Sequence, residues 1–262
     1  MNDTTDETID DSGEEREMGF FDHLEELRWR IIKILGAVII AVIGCSVYAD
    51  FLVNEVVLRP GRLTNPPLHL INTVPYGQIT FYMVVVVVTS FIICTPVVLY
   101  QVWKFIQPGL MPKERKYISS IVFYTSFCFL SGVGFAYFLM LPYMLQFFAN
   151  FGTSAVQNMI TVDEYLNFVM QLVLISGLLF EMPMVSYFLA RLGLLTPEFL
   201  RHYWRHAFIV ILFIAAVVTP TTDPITMSVF SVPMLILYEA SIWVARIAQR
   251  KRKASMTEAF ND

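Results

Sequence analysis

Charged residues are scarce in this sequence, and their scarcity excludes an ordinary soluble protein. Only 15% of the 262 residues are Asp, Glu, Lys or Arg, against roughly a quarter in soluble domains, whereas 56% are hydrophobic. We therefore predict a protein that crosses a membrane several times. Cysteine is also rare. Cys45, Cys94 and Cys128 lie singly inside apolar runs, so they predict no metal site and leave the redox compartment open.

Motifs of the common catalytic classes are missing as well. The sequence lacks the zinc motif HExxH, the nucleophile motif GxSxG and a glycine-rich phosphate loop. Its four histidines, at positions 23, 69, 202 and 206, lie in loops or at the ends of apolar segments. We predict no enzymatic activity, no cofactor, no metal and no nucleic-acid partner. An intramembrane hydrolase would need a nucleophile and a base at one depth, which this pattern does not supply.

Six apolar segments predict an all-α polytopic membrane protein with six transmembrane helices. They cover residues 31–53, 79–103, 117–148, 165–190, 206–219 and 225–245. The fifth has 14 residues, about 21 Å of helix against a hydrocarbon core of about 30 Å. The sixth is apolar only from Ile225 to Tyr238 before Glu239. Two short last helices are predicted; the alternative is a longer sixth helix whose Glu239 reaches the surface.

Basic residues predict the orientation of these helices. Sixteen of the 18 fall on one side of the predicted membrane, and Arg59 and Arg62 alone fall on the other. The positive-inside rule then places both termini of this multi-pass membrane protein in the cytoplasm. Eight of the 22 acidic residues lie in residues 1–17, which we interpret as a disordered tail. Residues 18–246 form the predicted membrane domain, and residues 247–262 a basic cytoplasmic tail.

A charged stretch precedes the first span. Residues 20–33 have the spacing of an amphipathic helix, and their centre, residues 23–30, is called the collar below. Glu26 stands four residues before Arg30, which favours an ion pair on the helix surface. With Asp22, Glu25 and Glu26, residues 20–33 hold more acid than their helix needs, so a cationic partner is predicted to dock there. Glu114 lies on the same predicted membrane face, and two carboxylates there suit two guanidinium groups.

One acidic residue lies inside the predicted membrane, and another lies at its outer edge, between the fifth and sixth segments. Glu181 is ten residues before Arg191, about 15 Å along the helix and so near the bilayer centre, where charged groups are usually functional. The alternative is a protonated carboxyl that bonds a neighbouring helix. Pro183 predicts a kink at this level. Asp223, just before Pro224, is interpreted as a helix N-cap.

The two loops on the other face have recognisable turn chemistry. Residues 54–78, called the cap below, hold four prolines and two glycines, which exclude one long helix and favour a compact cover over the outer face. The second loop ends with Thr161 and, three residues later, Glu164. This spacing predicts a capping box that opens the fourth helix.

Several motifs follow one another in order along residues 20–246. They are residues 23–28 (HLEELR), 99–110 with 113–115, 134–138 with 141–142, 165–169, 180–183, 219–220, Asp223, Pro233, Tyr238 and Glu239. With these motifs the chain resembles the TatC family, the multispanning receptors of twin-arginine protein translocation. One departure is Met227, where many family members carry glutamine.

The resemblance implies a function. Folded cargo with an Arg-Arg signal peptide would bind on the cytoplasmic face, with single-span TatA and TatB type proteins as partners and the proton-motive force as energy source. A homo-oligomer within a lipid-embedded complex of the bacterial inner membrane is also implied. The implied signal-peptide residues are Leu24, Glu26, Arg28, Phe105, Lys113 and Glu114; Pro60 would support the groove from the cap, and Glu181, Asp223 and Glu239 would be polar partner contacts. The alternative from the residues alone is a proton-coupled small-solute transporter that uses Glu181.

Overall fold

Helices make up almost all of the structure. The computed structural model describes residues 20–107, 118–151, 159–219 and 224–261, so the acidic tail lies outside the described residues. The helices are α1 (Phe20–Val47), α2 (Ala49–Phe51), α3 (Arg59–Arg62), α4 (Gly77–Ile106), α5 (Ile118–Phe135), α6 (Leu141–Asn150), α7 (Val162–Leu179), α8 (Met182–Leu192), α9 (Pro197–His202), α10 (Trp204–Val218) and α11 (Pro224–Asn261), with π-helical turns at Leu52–Val57 and Ala136–Met140.

Five helical stretches of the described chain are long and apolar enough to cross a membrane, and a sixth is shorter. The five are His23–Val47, Gly77–Ile106, Ser119–Asn150, Val162–Leu192 and Pro224–Arg252; the shorter one is Trp204–Val218. The prediction of an all-α membrane protein with six helical spans is confirmed. Large apolar side chains such as Ile40 and Val47 are exposed on α1, as expected for a surface that faces lipid.

The prediction of two short last helices is half right. The fifth span is short, since α10 has 15 residues, about 22 Å of helix. The sixth is not, because α11 continues without a break past Glu239 to Asn261 over 38 residues. Glu239 does not end the helix because its carboxylate is exposed and pairs with Arg201 across the bundle surface. The expected basic tail therefore begins as a continuation of α11.

The core forms around α7. Its buried side chains include Tyr165, Leu172 and Val173, and they pack with buried residues of the cap, α4, α6, α10 and α11. The predicted capping box at its start is confirmed: the Thr161 hydroxyl accepts from the Glu164 N–H at 3.2 Å, and the Glu164 carboxylate accepts from the Thr161 N–H at 3.2 Å. Directly before it, β2 (Ile160–Thr161) pairs in parallel with β1 (Leu70–Ile71), which ties the two loops together.

Close packing joins α5 to α7. A Cβ atom on Gly132 would lie 2.6 Å from the Ser176 carbonyl oxygen and 2.8 Å from the Phe180 side chain. Only glycine allows the two helices to approach this closely. The contact lies just before the break between α7 and α8, so it also positions Glu181.

Candidate functional site

The collar lies against the end of α4. The Glu26 Oε1 atom accepts a hydrogen bond from Arg30, which confirms the predicted pair one turn apart. Its other oxygen, Oε2, is buried, lies 3.7 Å from His23 Nδ1 and accepts no hydrogen bond within the described part of the chain. The Glu26 side chain is 25% exposed. An ionised carboxylate offers about four acceptor positions, so Glu26 retains acceptor capacity beyond its bond to Arg30.

Two contacts connect the collar to α4. The His23 ring stacks on Phe105, with centroids 4.2 Å apart and planes at 13°. Arg30 Nη1 donates to the Gln101 side-chain oxygen at 3.5 Å, one turn before Phe105. His23 therefore lies between Glu26 and Phe105, two residues that the sequence assigned to one site. The result is an acidic group that is connected through His23 to an aromatic ring.

Other predicted members of the site are arranged less closely. Leu24, 45% exposed, and Arg28 lie two positions from Glu26, on helix faces that diverge from it. Lys113 and Glu114 lie outside the described residues, and so does Asp223. The contributions of these three residues stay predictions.

The sequence patterns did not predict His23 or Gln101 as members of the site. A histidine three residues before Glu26 was a usable signal, because residues three apart on a helix are neighbours. Gln101 and Phe105 are also four residues apart and so share a face of α4. No local pattern indicated that this face meets the collar.

The cap is fixed to the third and fourth spans by side-chain bonds to backbone carbonyls. The Tyr165 hydroxyl donates to the Val57 carbonyl at 2.7 Å, and the Tyr137 hydroxyl donates to the Val56 carbonyl at 2.8 Å. Both carbonyls belong to the π-helical turn that precedes α3. Pro60 is buried in α3. Its support of the signal-peptide groove stays a prediction.

Removal of the Tyr165 hydroxyl tests this attachment. We expect Tyr165→Phe to lower the free energy of unfolding by about 1 kcal/mol, because the buried Val57 carbonyl loses its donor. Thermal unfolding of the detergent-purified protein measures the change. Tyr143→Phe is the matched control, since Tyr143 is exposed and its loss of a hydroxyl leaves no buried partner behind. Equal stability of the two variants would contradict a role of this bond in holding the cap.

Glu181 lies at a break in the fourth span. Residues 180–181 separate α7 from α8, and Pro183 stands in the first turn of α8, so the predicted interruption of the helix is confirmed. Proline breaks the helix because it has no N–H to donate to the carbonyl four residues earlier. Glu181 is 9% exposed, and its Oε1 atom accepts no hydrogen bond from the described residues. A buried carboxyl oxygen without a partner is costly, which favours a functional reason for its position.

Glu239 is in a different environment. It is half-exposed, and Oε1 accepts from Arg201 Nη1 at 2.7 Å. Exposed pairs of this kind contribute at most about 1 kcal/mol to stability. Its predicted contact with a partner is not tested by this pairing.

Comparison with known proteins decides the family. Residues 22–233 match the family model described as Sec-independent protein translocase protein (TatC). The chain belongs to the TatC family. A TatC protein of Halalkalibacterium halodurans is 36% identical, over 90% of this chain and 92% of that protein. A chloroplastic TATC of Pisum sativum is 34% identical, over 90% of this chain and 66% of that protein.

Solved structures agree with this assignment. A crystal structure of the twin-arginine translocase receptor TatC superimposes with a TM-score of 0.76 at 33% identity. The match covers 86% of this chain and 99% of that one. A second, in the detergent DDM, gives a TM-score of 0.77. The six-helix arrangement is therefore the TatC fold, and the resemblance drawn from the motifs is confirmed.

TatC membership also decides the class of function. The protein is a membrane-embedded component of Sec-independent protein translocation and a receptor of the Tat system. The expectation of a non-enzymatic protein is confirmed, because TatC is a translocase component. The same membership favours a protein translocase over the alternative function, a small-solute transporter that uses Glu181.

Proposed function

We propose that the collar is where this TatC protein binds the Arg-Arg motif of signal peptides on folded cargo. The observation that supports the proposal is the Glu26 carboxylate: the side chain is 25% exposed, its Oε2 atom accepts no hydrogen bond from the described residues, and His23 connects it to the Phe105 ring. A guanidinium pairs with a carboxylate bidentately and also stacks on aromatic faces. Glu114, which lies between α4 and α5 in the sequence, supplies the second carboxylate for the second arginine.

The orientation follows from the same proposal. Both termini lie in the cytoplasm of a bacterium, the collar faces the cytoplasm, and the cap covers the outer face of the inner membrane. The excess of basic residues on the collar side supports this orientation. Signal peptides and their folded cargo then reach the collar from the cytoplasm.

Partner binding is assigned to the short α10 and its surroundings. A span of about 22 Å does not match a hydrocarbon core of about 30 Å, which favours association with other helices. Single-span TatA and TatB type proteins pack against this short span and compensate for the mismatch in length. The proton-motive force drives transport. Glu181 and Asp223 contribute polar contacts to this assembly.

The peptide itself provides the test of the collar. We expect a fluorescent Arg-Arg signal peptide to bind the purified protein more tightly than its Lys-Lys counterpart, because lysine keeps the charge but loses the bidentate fork. Fluorescence anisotropy in detergent measures both affinities. A peptide with Ala-Ala in place of the two arginines measures the affinity that the apolar part of the signal peptide contributes alone. Equal affinity of the Arg-Arg and Lys-Lys peptides would rule out guanidinium pairing.

Glu181 is tested separately. We expect Glu181→Gln to fold normally but to impair partner assembly or transport, and Glu181→Leu to have a similar or larger effect, because the amide keeps polarity whereas leucine does not. Co-purification with tagged TatA and TatB type proteins and export of a folded reporter measure the two functions. Glu55→Gln, at an exposed carboxylate of the cap, is the control. Full transport by Glu181→Leu would reduce Glu181 to a structural residue.

A further inference from the structure

Two adjacent cavities lie where α9 and α10 meet α11. Their volumes are about 450 and 440 Å³, within the size range of small-molecule sites, about 300 to 1,000 Å³. Arg201 and His202 line both. The first is also lined by Trp204, Arg205 and Glu239, and the second by Pro197, Glu198 and Arg246.

The wall between the cavities is held in place by two bonds from α11. The Tyr238 hydroxyl donates to the Leu200 carbonyl at 2.7 Å. The next residue, Glu239, accepts from Arg201 Nη1 at 2.7 Å. These bonds attach α9 to α11, so the packing of the helices helps to set the shape of the cavities.

Each cavity is lined by one arginine whose guanidinium group has no partner among the described residues. Arg205 lines the first and Arg246 the second, and the side chain of neither makes a hydrogen bond or ion pair within the described ranges. Arg201 is balanced by Glu239, which leaves Glu198 as the other acid of the lining. Three arginines against two glutamates give a positive site. Unpaired guanidinium groups bind phosphate oxygens bidentately.

The surroundings are those of a membrane boundary. Phe199, Tyr203 and Trp204 are exposed aromatic residues beside the cavities, as in the aromatic belts at lipid headgroup level. Directly after them, α10 presents exposed apolar side chains, among them Ile209 and Phe213. A ligand that combines a phosphate headgroup with hydrocarbon chains fits both features.

We propose that these two cavities bind the headgroup of an anionic phospholipid with two phosphates, as in cardiolipin. Arg205 holds one phosphate, Arg246 holds the other, and Arg201 with His202 lies between them. Acyl chains extend along the apolar surface of α10. Basic pockets between transmembrane helices bind such headgroups in other membrane proteins.

Binding of added lipid to the purified protein tests the site. The lipids are cardiolipin, phosphatidylglycerol and phosphatidylcholine, and native mass spectrometry measures the bound fraction at each concentration. We expect Arg205→Gln combined with Arg246→Gln to weaken cardiolipin binding by about tenfold or more, since each basic residue at a lipid surface contributes about fivefold. Arg250→Gln combined with Lys251→Gln removes the same charge from α11 outside the cavities, and we expect little change.

The outcomes separate the possible ligands. Tighter binding of cardiolipin than of phosphatidylglycerol, lost only in the cavity variant, supports the proposal. Equal affinity for cardiolipin and phosphatidylglycerol overturns recognition of two phosphates. Inorganic pyrophosphate that binds alone with the affinity of cardiolipin, and displaces it, overturns a lipid in favour of a soluble diphosphate. An equal loss of cardiolipin binding in the cavity variant and in the control variant would mean that only general charge attraction holds the lipid, which also overturns the proposal.

A single substitution that is expected to tighten binding distinguishes an effect on the site from a loss of folding, because a misfolded variant would bind less. Glu198 is exposed at the first turn of α9 and lines the second cavity. Its carboxylate repels an incoming phosphate, so we expect Glu198→Gln to tighten cardiolipin binding severalfold. Helix content by circular dichroism confirms the fold of every variant. Unchanged or weaker binding by Glu198→Gln would overturn a phosphate in the second cavity.

Discussion

Substitution of both proposed signal-peptide carboxylates, Glu26→Ala with Glu114→Ala, is expected to weaken Arg-Arg peptide binding by at least about 30-fold. The estimate corresponds to about 2 kcal/mol, the lower end for the loss of one partner of a hydrogen-bonded charge pair at an interface. Each single substitution is expected to weaken binding less, because one arginine of the peptide keeps its partner. Anisotropy with a fluorescent signal peptide and detergent-purified protein measures the affinities.

Glu25 provides the matched control for this result. It neighbours Glu26 and carries the same charge, but it is exposed on another face of α1 and makes no ion pair within the described residues. We expect Glu25→Ala to bind the peptide with nearly unchanged affinity. If the double variant binds as well as Glu25→Ala, the collar is a membrane anchor and the peptide site lies elsewhere.

Introduction of a side chain at Gly132 is expected to have the largest effect on folding. Gly132→Val places a Cβ atom 2.6 Å from the Ser176 carbonyl oxygen, and a backbone atom of a packed helix does not yield as a flexible side chain does. We expect a loss of about 3 kcal/mol in the free energy of unfolding, at the upper end for overpacked cores. Thermal unfolding and the yield of monodisperse protein measure it.

Gly134 is the control on the same helix. A Cβ atom there meets nothing within 4 Å, so Gly134→Val is expected to change stability little, as valine and glycine differ modestly in helix propensity. The Ser176 carbonyl also accepts from the Phe180 N–H at the end of α7. Gly132→Val is therefore expected to disturb the break at Glu181, with a loss of transport alongside the loss of stability. Equal stability of the two variants would contradict the close approach of α5 and α7.

Within the site, sequence spacing predicted the local pairs and missed the distant ones. Glu26 and Arg30 are one turn apart, and their ion pair follows from helix geometry alone. The stack of His23 on Phe105 joins α1 to α4, and nothing in either helix's own sequence specifies it. Likewise, Pro183 predicted the break after α7. That Glu181 Oε1 accepts no hydrogen bond from the described residues emerged only from the packing around it.

The sixth helix shows where composition misleads. Glu239 interrupts an apolar run, and charged side chains inside a membrane span are rare and costly. Here Arg201 of α9 lies opposite Glu239, and the two exposed side chains pair at the bundle surface. Because a helix satisfies its backbone hydrogen bonds internally, one charged side chain with a partner does not end it.

The sequence by itself determined that this protein is a six-helix membrane protein of the TatC family. It also determined where α7 begins and where the fourth span breaks. These properties depend on hydropathy, capping residues and proline, which act within one or two helical turns. The tertiary structure alone decided that the collar meets Phe105, that Tyr165 and Tyr137 hold the cap, that β1 pairs with β2, and that Arg201 joins α9 to Glu239. Each of these contacts joins segments far apart in the chain, and such contacts depend on how whole helices pack, which no local pattern encodes.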